Sequence, residues 1–251
     1  MTQMMERDNL YARPAPLVAD FAFDEAVARV FPDMIRRSVP GYTTIIPMIE
    51  IITAQFGQPD TNTYDLGCSL GASTLAMRHG LKGTPGSKVI AIDNSSAMLA
   101  RCNHYIELDN SSVHVELIEQ DIRNTLIVNA SVVTLNFTLQ FVPPEDRQRL
   151  LQKIYDGMTP GGCLILSEKI CFDSLTEQHH LTELHHAFKR ANGYSELEVS
   201  QKRSAIEKVL LPETREAHLS RLKSVGFEQA HAWYQCFSFV SFIAVKEATS
   251  S

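Results

Sequence analysis

The chain has 251 residues, of which 44% are hydrophobic and 21% are charged, and this composition excludes a disordered, collagen-like or low-complexity protein. Its 29 acidic and 23 basic residues leave a net charge of −6, which disfavours direct nucleic-acid binding because proteins that grip the phosphate backbone carry a basic excess. Five cysteines without a CxxC pair argue against a disulfide framework or a zinc site, and the lack of a signal segment or an apolar run of ~20 residues predicts a cytoplasmic protein without a membrane span.

The N-terminal part of the chain predicts an arm followed by helices. Residues 1–20 are polar and then broken by prolines, which predicts a mobile arm, and residues 21–251 predict a single domain. Asp24 can cap a first helix. Pro32 suits the first turn of a second helix, where its missing N–H costs nothing. A third helix is expected over residues 42–56.

From residue 62 onward, strand-like segments alternate with helix-length segments. The predicted strands are 63–66, 88–93, 113–118, 131–136 and 163–170. Helices are predicted after the first, second and fourth strands, and the turn Pro160-Gly161-Gly162 precedes the fifth strand. Strands separated by helices predict a parallel sheet that is covered on both faces.

The stretch 175–224 breaks this alternation, because three helices are predicted (176–190, 196–209 and 213–224) where one crossover helix would be enough. We interpret it as a helical cap inserted after the fifth strand. Two closely spaced strands follow, and they allow only a hairpin, so the last strand must run antiparallel to the others. The expected fold is α/β: a seven-stranded, Rossmann-like sheet of the class I S-adenosylmethionine-dependent methyltransferase type, with N-terminal helices.

The loop after the first strand, in the segment TYDLGCSLG, has three interpretations. A dinucleotide-binding loop needs G-x-G-x-x-G, but Ser69 replaces the middle glycine, and Asp65 would repel a pyrophosphate. A hydrolase nucleophile elbow fits the pattern G-x-S-x-G, but such an elbow normally follows several earlier strands. S-adenosylmethionine (SAM) carries an ammonium and a sulfonium instead of phosphates, and acidic residues near the loop favour it.

Polar residues at three further strand ends suit the same ligand. Asp93 can accept from the ribose hydroxyls, Asp121 from the adenine amine, with Ile122 packed on the ring, and Asn136 lies where the sulfonium is expected. Because parallel strands end at the same edge of a sheet, these residues are expected to meet. The alternative is that they serve only as helix caps and turn formers.

Several long stretches resemble the carboxy-S-adenosyl-L-methionine (carboxy-SAM) synthase family. They are FDEAVARVFPDMIRRSVPGY, YDLGCSLGASTLAMR, AIDNSSAML, LNFTLQF, FKRANGYSELEVSQKR and WYQCFSF, spread over residues 20–245. The resemblance implies an enzyme that makes carboxy-SAM and phenylpyruvate from SAM and prephenate, without a metal. It also implies a homodimer whose product serves a tRNA carboxymethyltransferase that modifies the wobble uridine.

The resemblance also implies the residues of the site. The implied SAM contacts are Tyr42, Gly67, Cys68, Ser69, Asp93, Asn94, Asp121, Ile122 and Asn136. Arg203 is implied to hold the carboxylate of the product, and a guanidinium can bind a carboxylate through two parallel hydrogen bonds. Without the resemblance, Lys202 and Arg203 would fit a solvated helix face beside Glu198 and Glu207.

Two other functions remain open at this point. An ordinary methyltransferase would need a base near Asn136, and NFTLQF contains none, while a non-catalytic SAM-binding partner would not need Arg203. The segment HHLTELHH could suggest a metal site through His179 and His186, but a polar helix surface or a subunit contact is favoured. Scattered aromatic residues, Phe137 among them, are interpreted as core.

Overall fold

The computed structural model describes residues 6–14 and 20–248, so the predicted mobile arm lies in part, at residues 1–5 and 15–19, outside the described residues. The helices are α1 (Glu25–Ser38), α2 (Tyr42–Phe56), α3 (Ala72–Gly80), α4 (Ser96–Leu108), α5 (Pro144–Gly157), α6 (Leu175–Ala191), α7 (Glu196–Ile206) and α8 (Arg215–Ser224). The strands are β1 (Asn62–Leu66), β2 (Lys88–Asp93), β3 (His114–Glu119), β4 (Ala130–Asn136), β5 (Met158–Cys171), β6 (Glu213–Thr214), β7 (Gln229–Cys236) and β8 (Phe239–Val245).

The main sheet has the order β3-β2-β1-β4-β5-β8-β7. Strands β1 to β5 are parallel, and β8 runs antiparallel between β5 and β7, which confirms the predicted seven-stranded α/β fold. The two-residue strand β6, which the sequence did not predict, pairs with β5. Because β1 has β2 on one side and β4 on the other, the strand order reverses beside it, and open α/β sheets bind ligands at such a point.

Helix α1 corrects the prediction of two helices separated at Pro32. The chain forms one helix with Pro32 inside it, and the Asp24 carboxylate caps it by accepting from the Val27 N–H at 2.9 Å, as expected. The apolar face of α1 includes Val30 and Met34 and is buried in a cluster with residues of the β1–α3 loop and α4. Tertiary burial of this continuous face outweighs the local signal of the proline.

Strand β5 is longer than predicted, because it includes the expected turn Pro160-Gly161-Gly162. The register against β4 shifts here: Ala130 pairs with Met158, whereas Val132 pairs with Cys163. The extra residues are accommodated as an irregularity within the ladder, which is how a bulge absorbs additional chain.

The predicted cap consists of α6 and α7, whereas the third predicted helix, α8, packs against the sheet. Glu213 and Thr214 form β6 instead of a helical turn, and Thr214 caps α8 by accepting from the Ala217 N–H. Leu222 of α8 is fully buried in the main core beside the sheet. The residues that cover the ligand edge therefore come from α6, α7 and the segment that follows α7.

Residues 6–14 of the predicted arm are attached to α1 and α7. Asp8 is buried, and its backbone N–H donates to Asp33 Oδ2 at 2.8 Å. Its carboxylate accepts from Lys202 Nζ at 3.1 Å and from the Tyr194 hydroxyl. Lys202 is therefore buried in an ion pair and does not lie on a solvated helix face.

Candidate functional site

A cavity of about 1030 Å³ lies at the carboxyl ends of β1, β2 and β4. The walls come from α1, α2, the strand-end loops, α6 and the segment after α7, so distant parts of the chain enclose it. All nine residues implied to contact SAM line this cavity, and Arg203 does not. The volume is at the upper end of the range of about 300–1,000 Å³ for pockets that hold one small ligand, which leaves room for a second molecule.

The β1–α3 loop brings backbone close to the cavity. Gly67 has φ +80°, and a Cβ atom built there would lie 2.4 Å from Thr138 Cγ2, so only glycine fits. Ser69 also has a positive φ, 50°, and its N–H donates to Asp93 Oδ2 at 2.9 Å. The side chain of Asp93 thus holds the loop in the conformation that exposes its backbone to a ligand.

Asp93 ends β2 and presents both carboxylate oxygens. Oδ2 accepts from the Ser69 N–H, and Oδ1 accepts from the Ser95 N–H at 2.9 Å, so backbone donors on both sides fix the orientation of the carboxylate. Burial raises the pKa of Asp93, and its hydrogen bonds with backbone N–H groups oppose that change. Two acceptors fixed on one strand end suit a pair of neighbouring hydroxyl groups, as in a ribose.

Asp121 lies after β3, and its carboxylate accepts hydrogen bonds from an arginine that the sequence analysis did not single out. The Arg123 guanidinium donates to Asp121 Oδ2 at 2.7 Å and also to Asp146 at 2.8 Å. The hydrogen bond with Arg123 lowers the pKa of Asp121, so this carboxylate remains an acceptor at neutral pH. Beside it, Ile122 offers a buried apolar wall.

Asn136 ends β4 with an unused buried acceptor. Its Nδ2 donates to Ser73 Oγ at 3.0 Å, whereas its Oδ1 has no partner in the described part of the chain. A buried acceptor without a partner is costly, and an ammonium donor from a ligand would satisfy it. With the acidic groups nearby, this atom makes the cavity a good fit for the cationic ligand SAM.

Aromatic side chains continue the wall beyond Asn136. Phe137 has φ 62°, a strained backbone for an aromatic residue, and its ring centroid lies 6.5 Å from that of Tyr42 and 6.0 Å from that of Phe239. The His185 ring packs against Phe239 at 4.9 Å. The interpretation of Phe137 as a core residue is confirmed by its burial, but its role as a cavity wall was missed.

Two lysines also line the cavity, one half-buried and one buried, and the sequence analysis singled out neither. Lys169 lies near the end of β5, and Lys189 lies on α6, one helical turn after His185. Burial, together with the nearby positive charges of Lys202, Lys169 and Arg203, lowers the pKa of Lys189 to about 7. The i, i+4 spacing of His185 and Lys189 was the available sequence signal, because it places both on one helix face.

Arg203 lies on the outer side of α7. Its side chain is 63% exposed and sits 3.6 Å from Glu207. Burial is the main cause of the lowered pKa of Lys169, and the positive charge of Arg203 is the second cause. The guanidinium is therefore close enough to Lys169 to act on its charge. Its role as a carboxylate ligand stays a prediction, and that role requires the side chain to leave Glu207 and turn toward the cavity.

The other chemistries considered for the loop and the histidines have little support in the structure. Ser69 Oγ contacts Met98 Sδ at 3.5 Å, and no histidine contacts it among the described residues, so a nucleophile elbow is not formed. A hydrogen bond with Cys102 and burial hold the pKa of Cys68 well above its usual value, so the thiol is not activated. Within the described ranges no group of three or more histidine, cysteine or acidic side chains could hold a metal, and no helix could cross a membrane.

Known proteins show clear similarity to this chain. Residues 64–162 match the family described as "Methyltransferase domain". The carboxy-SAM synthase of Marinobacter nauticus is 63% identical over 91% of this chain and 91% of its own, and that of Klebsiella pneumoniae is 54% identical over 97% and 98%. Human N-acetylserotonin methyltransferase in complex with SAM has a similar fold, with a TM-score of 0.58 and 16% identity over 89% of this chain and 56% of its own.

The high identity to full-length relatives extends far beyond the methyltransferase domain, since it includes the N-terminal helices and the cap. The distant solved structure supports only the SAM-dependent methyltransferase fold, in agreement with the sheet order and the position of the cavity. The chain therefore belongs to the carboxy-S-adenosyl-L-methionine synthase family.

Proposed function

We propose that this protein is a carboxy-SAM synthase that transfers the ring carboxyl group of prephenate to the methyl carbon of SAM and releases phenylpyruvate. The observation that carries the proposal is the 63% identity to a carboxy-SAM synthase over 91% of both chains. It is supported by a single cavity that all nine implied SAM-contact residues line and that has room for a second substrate.

The polar groups at the strand ends support one orientation of SAM in the cavity. Asp93 accepts from the ribose hydroxyls, and Asp121 with Ile122 binds the adenine. The free Asn136 Oδ1 accepts from the ammonium of the methionine part. In the proposed arrangement the sulfonium and its methyl group lie near Phe137, and Lys169 and Lys189 line the same cavity.

The reaction balances without an external oxidant or base. Prephenate loses its ring carboxylate as carbon dioxide and its ring hydroxyl as hydroxide when the ring becomes aromatic, which leaves phenylpyruvate. The hydroxide removes a proton from the SAM methyl group and becomes water. The resulting sulfonium ylide carbon forms a bond with carbon dioxide, which gives carboxy-SAM.

The cavity suits these steps because it encloses the reactants. The acidic residues that line it in the described part of the chain are Glu6, Asp93 and Asp121. His185 is held neutral there, because burial lowers its pKa to about 2. In this proposal the base comes from the substrate, and the cavity walls keep carbon dioxide close to the ylide.

The first experiment is mass spectrometry of a reaction that contains the purified protein, SAM and prephenate. Carboxy-SAM and phenylpyruvate are expected in equal amounts, and only when both substrates are present. Unchanged SAM would contradict the proposal. Formation of S-adenosylhomocysteine with an added acceptor would instead indicate an ordinary methyltransferase, and SAM binding without turnover would indicate a non-catalytic partner.

Replacement of Arg203 tests the implied carboxylate contact. Arg203→Ala is expected to weaken binding of carboxy-SAM about 10- to 100-fold, since a charge-assisted contact is lost, and to leave SAM binding unchanged. Arg149→Ala is the matched control, because Arg149 is also exposed, at 69%, and also pairs with a carboxylate. Equal affinity of the Arg203→Ala variant and the wild type for carboxy-SAM, measured by calorimetry, would remove this role.

The partners belong to the same proposal. A homodimer would have twice the chain mass of 28.1 kDa, which light scattering can test. The product would serve a tRNA carboxymethyltransferase that modifies the wobble uridine in the cytoplasm. The proposal includes no direct contact between this acidic chain and tRNA.

A further inference from the structure

Lys169, which is half-buried, and Lys189, which is buried, both line the cavity, and neither is paired with an acidic side chain in the described part of the chain. Lys189 is 8% exposed and lies on the same face of α6 as His185. Lys169 lies two residues beyond Ser167, whose Cα is the register partner of Asn136, so it follows the expected sulfonium end of the site. Both ammonium groups therefore stand where a second ligand would meet SAM.

Neither ammonium group has a hydrogen bond or ion pair with another described residue, and residues 1–5, 15–19 and 249–251, which lie outside the described ranges, contain no aspartate or glutamate. The charges that act on them are positive: Arg203 on both lysines, and Lys202 on Lys189. The Asp8 carboxylate is bound to Lys202 and is not available. An anionic ligand would stabilise the charged form of both lysines, which have no acidic partner among the described residues, and the arrangement therefore points to an anion.

The surface beside the lysines is aromatic and uncharged. Lys169 is the register partner of Phe239, whose ring lies between those of Phe137 and His185. His185 Nε2 lies 2.8 Å from the Ser38 carbonyl oxygen, to which the neutral ring donates, so this histidine adds no charge. A ligand with a carboxylate on one end and a six-membered ring on the other matches both parts of this wall.

We propose that Lys169 and Lys189 form the subsite for the carboxylate that the second substrate retains, with its ring against Phe137 and Phe239. The identity of this anion, the α-keto carboxylate of prephenate, rests on the proposed function. A carboxylate held by two cations is stabilised as an anion, and this opposes its loss as carbon dioxide. The two lysines therefore suit the carboxylate that remains in phenylpyruvate. Binding of that carboxylate orients the ring carboxylate of prephenate toward SAM.

Binding measurements test the subsite without turnover. The probe is phenylpyruvate, titrated into protein that is saturated with S-adenosylhomocysteine, and its uncharged methyl ester is titrated in parallel. Lys169→Met and Lys189→Met keep the length of the side chain and remove its charge. Each is expected to weaken phenylpyruvate binding about 10- to 100-fold and to change ester binding little. Lys82→Met is the control, because Lys82 is exposed and remote from the cavity.

Unchanged affinity for S-adenosylhomocysteine shows that each variant is folded. The subsite is overturned if the variants bind phenylpyruvate as tightly as the wild type, if acid and ester lose affinity equally, or if the wild type does not bind phenylpyruvate. These outcomes are separate from those of the proposed function. A wild-type protein that binds phenylpyruvate through the lysines but forms no carboxy-SAM would retain the carboxylate subsite and lose the synthase activity.

Discussion

At the scale of single residues, burial decides the protonation state of Asp65. This residue is 1% exposed at the end of β1, and its Oδ2 accepts from Thr74 Oγ1 at 2.6 Å, whereas its Oδ1 has no partner among the described residues. Burial, with a contribution from the negative charge of Asp93, raises the pKa of Asp65 from 3.8 to about 7. In the unfolded chain Asp65 has its ordinary pKa. At a pH between the unfolded and the folded pKa, therefore, the Asp65 carboxyl group is protonated mainly in the folded protein.

The stability contributed by protonated Asp65 is present in full below the unfolded pKa and is lost as the pH rises toward 7. Asp65→Asn removes this proton and preserves the shape of the side chain. Relative to the variant, the wild type is expected to lose about 3 kcal/mol of unfolding free energy between pH 5 and pH 8, from about 1.4 kcal/mol for each unit. Urea unfolding of both proteins without ligand, at both pH values, measures this difference. A difference that does not change with pH would contradict the expectation.

At the scale of elements, the β1–α3 loop depends on contacts with the segment after β4. Gly67 and Thr138 are 71 positions apart in the sequence. Their side of the loop can pack closely because Gly67 has no Cβ atom that would collide with the Thr138 side chain. The shape of the loop therefore depends on the pairing of β1 with β4. The ligand edge of the sheet is a property of the paired strands and not of the glycine motif alone.

Gly67→Ala is expected to destabilise the protein and to weaken SAM binding at least tenfold, because the new Cβ strains a left-handed backbone and displaces Thr138. Gly83→Ala is the matched control: Gly83 has φ +90°, but a Cβ built there meets nothing within 4 Å. Both variants carry the backbone strain, so calorimetry with SAM isolates the steric effect in the loop. Equal loss of SAM affinity in the two variants would contradict this account.

At the scale of the whole molecule, a buried polar network connects the N-terminal segment, α1 and the cap. Asp8 binds Lys202 of α7 and the backbone of Asp8 binds Asp33 of α1, so one residue joins three parts of the chain. Arg37 of α1 extends the network by donating to Asp33 Oδ2 at 2.9 Å and to the Asn192 carbonyl oxygen between α6 and α7 at 2.7 Å. The network holds the cap over the cavity that α1 and the sheet form.

Asp8→Asn is expected to lower the unfolding free energy by about 3–5 kcal/mol, because it leaves the Lys202 ammonium buried without an anion. The double variant with Lys202→Met is expected to recover much of that loss, since no uncompensated charge remains. Asp20→Asn is the control, because the Asp20–Lys208 pair is exposed and little change is expected. Urea unfolding measures the stability of all three variants. An Asp8→Asn variant as stable as the wild type would contradict the role of the buried pair.

The predictable part of the fold rests on local patterns. Segments such as KVIAID and SVVTLN are too apolar for a solvated face, and β2 and β4 are indeed buried strands. Their carboxyl ends had to meet at one edge, so the residues that follow them line one cavity. The continuation of α1 through Pro32 was not predictable in this way, because packing of its apolar face overrides a local helix-breaking signal.

The sequence by itself determined the strand order along the chain, the single antiparallel strand, the ligand edge and, through long matching stretches, the family. These features depend on neighbours in sequence or on rules that hold for every parallel sheet. Only the tertiary structure decided that Lys202 is buried against Asp8, that Lys169 and Lys189 face the cavity, and that Arg203 lies outside it. Charged side chains carry no periodic signal of burial, and their environment depends on segments up to 194 positions apart that meet only after folding.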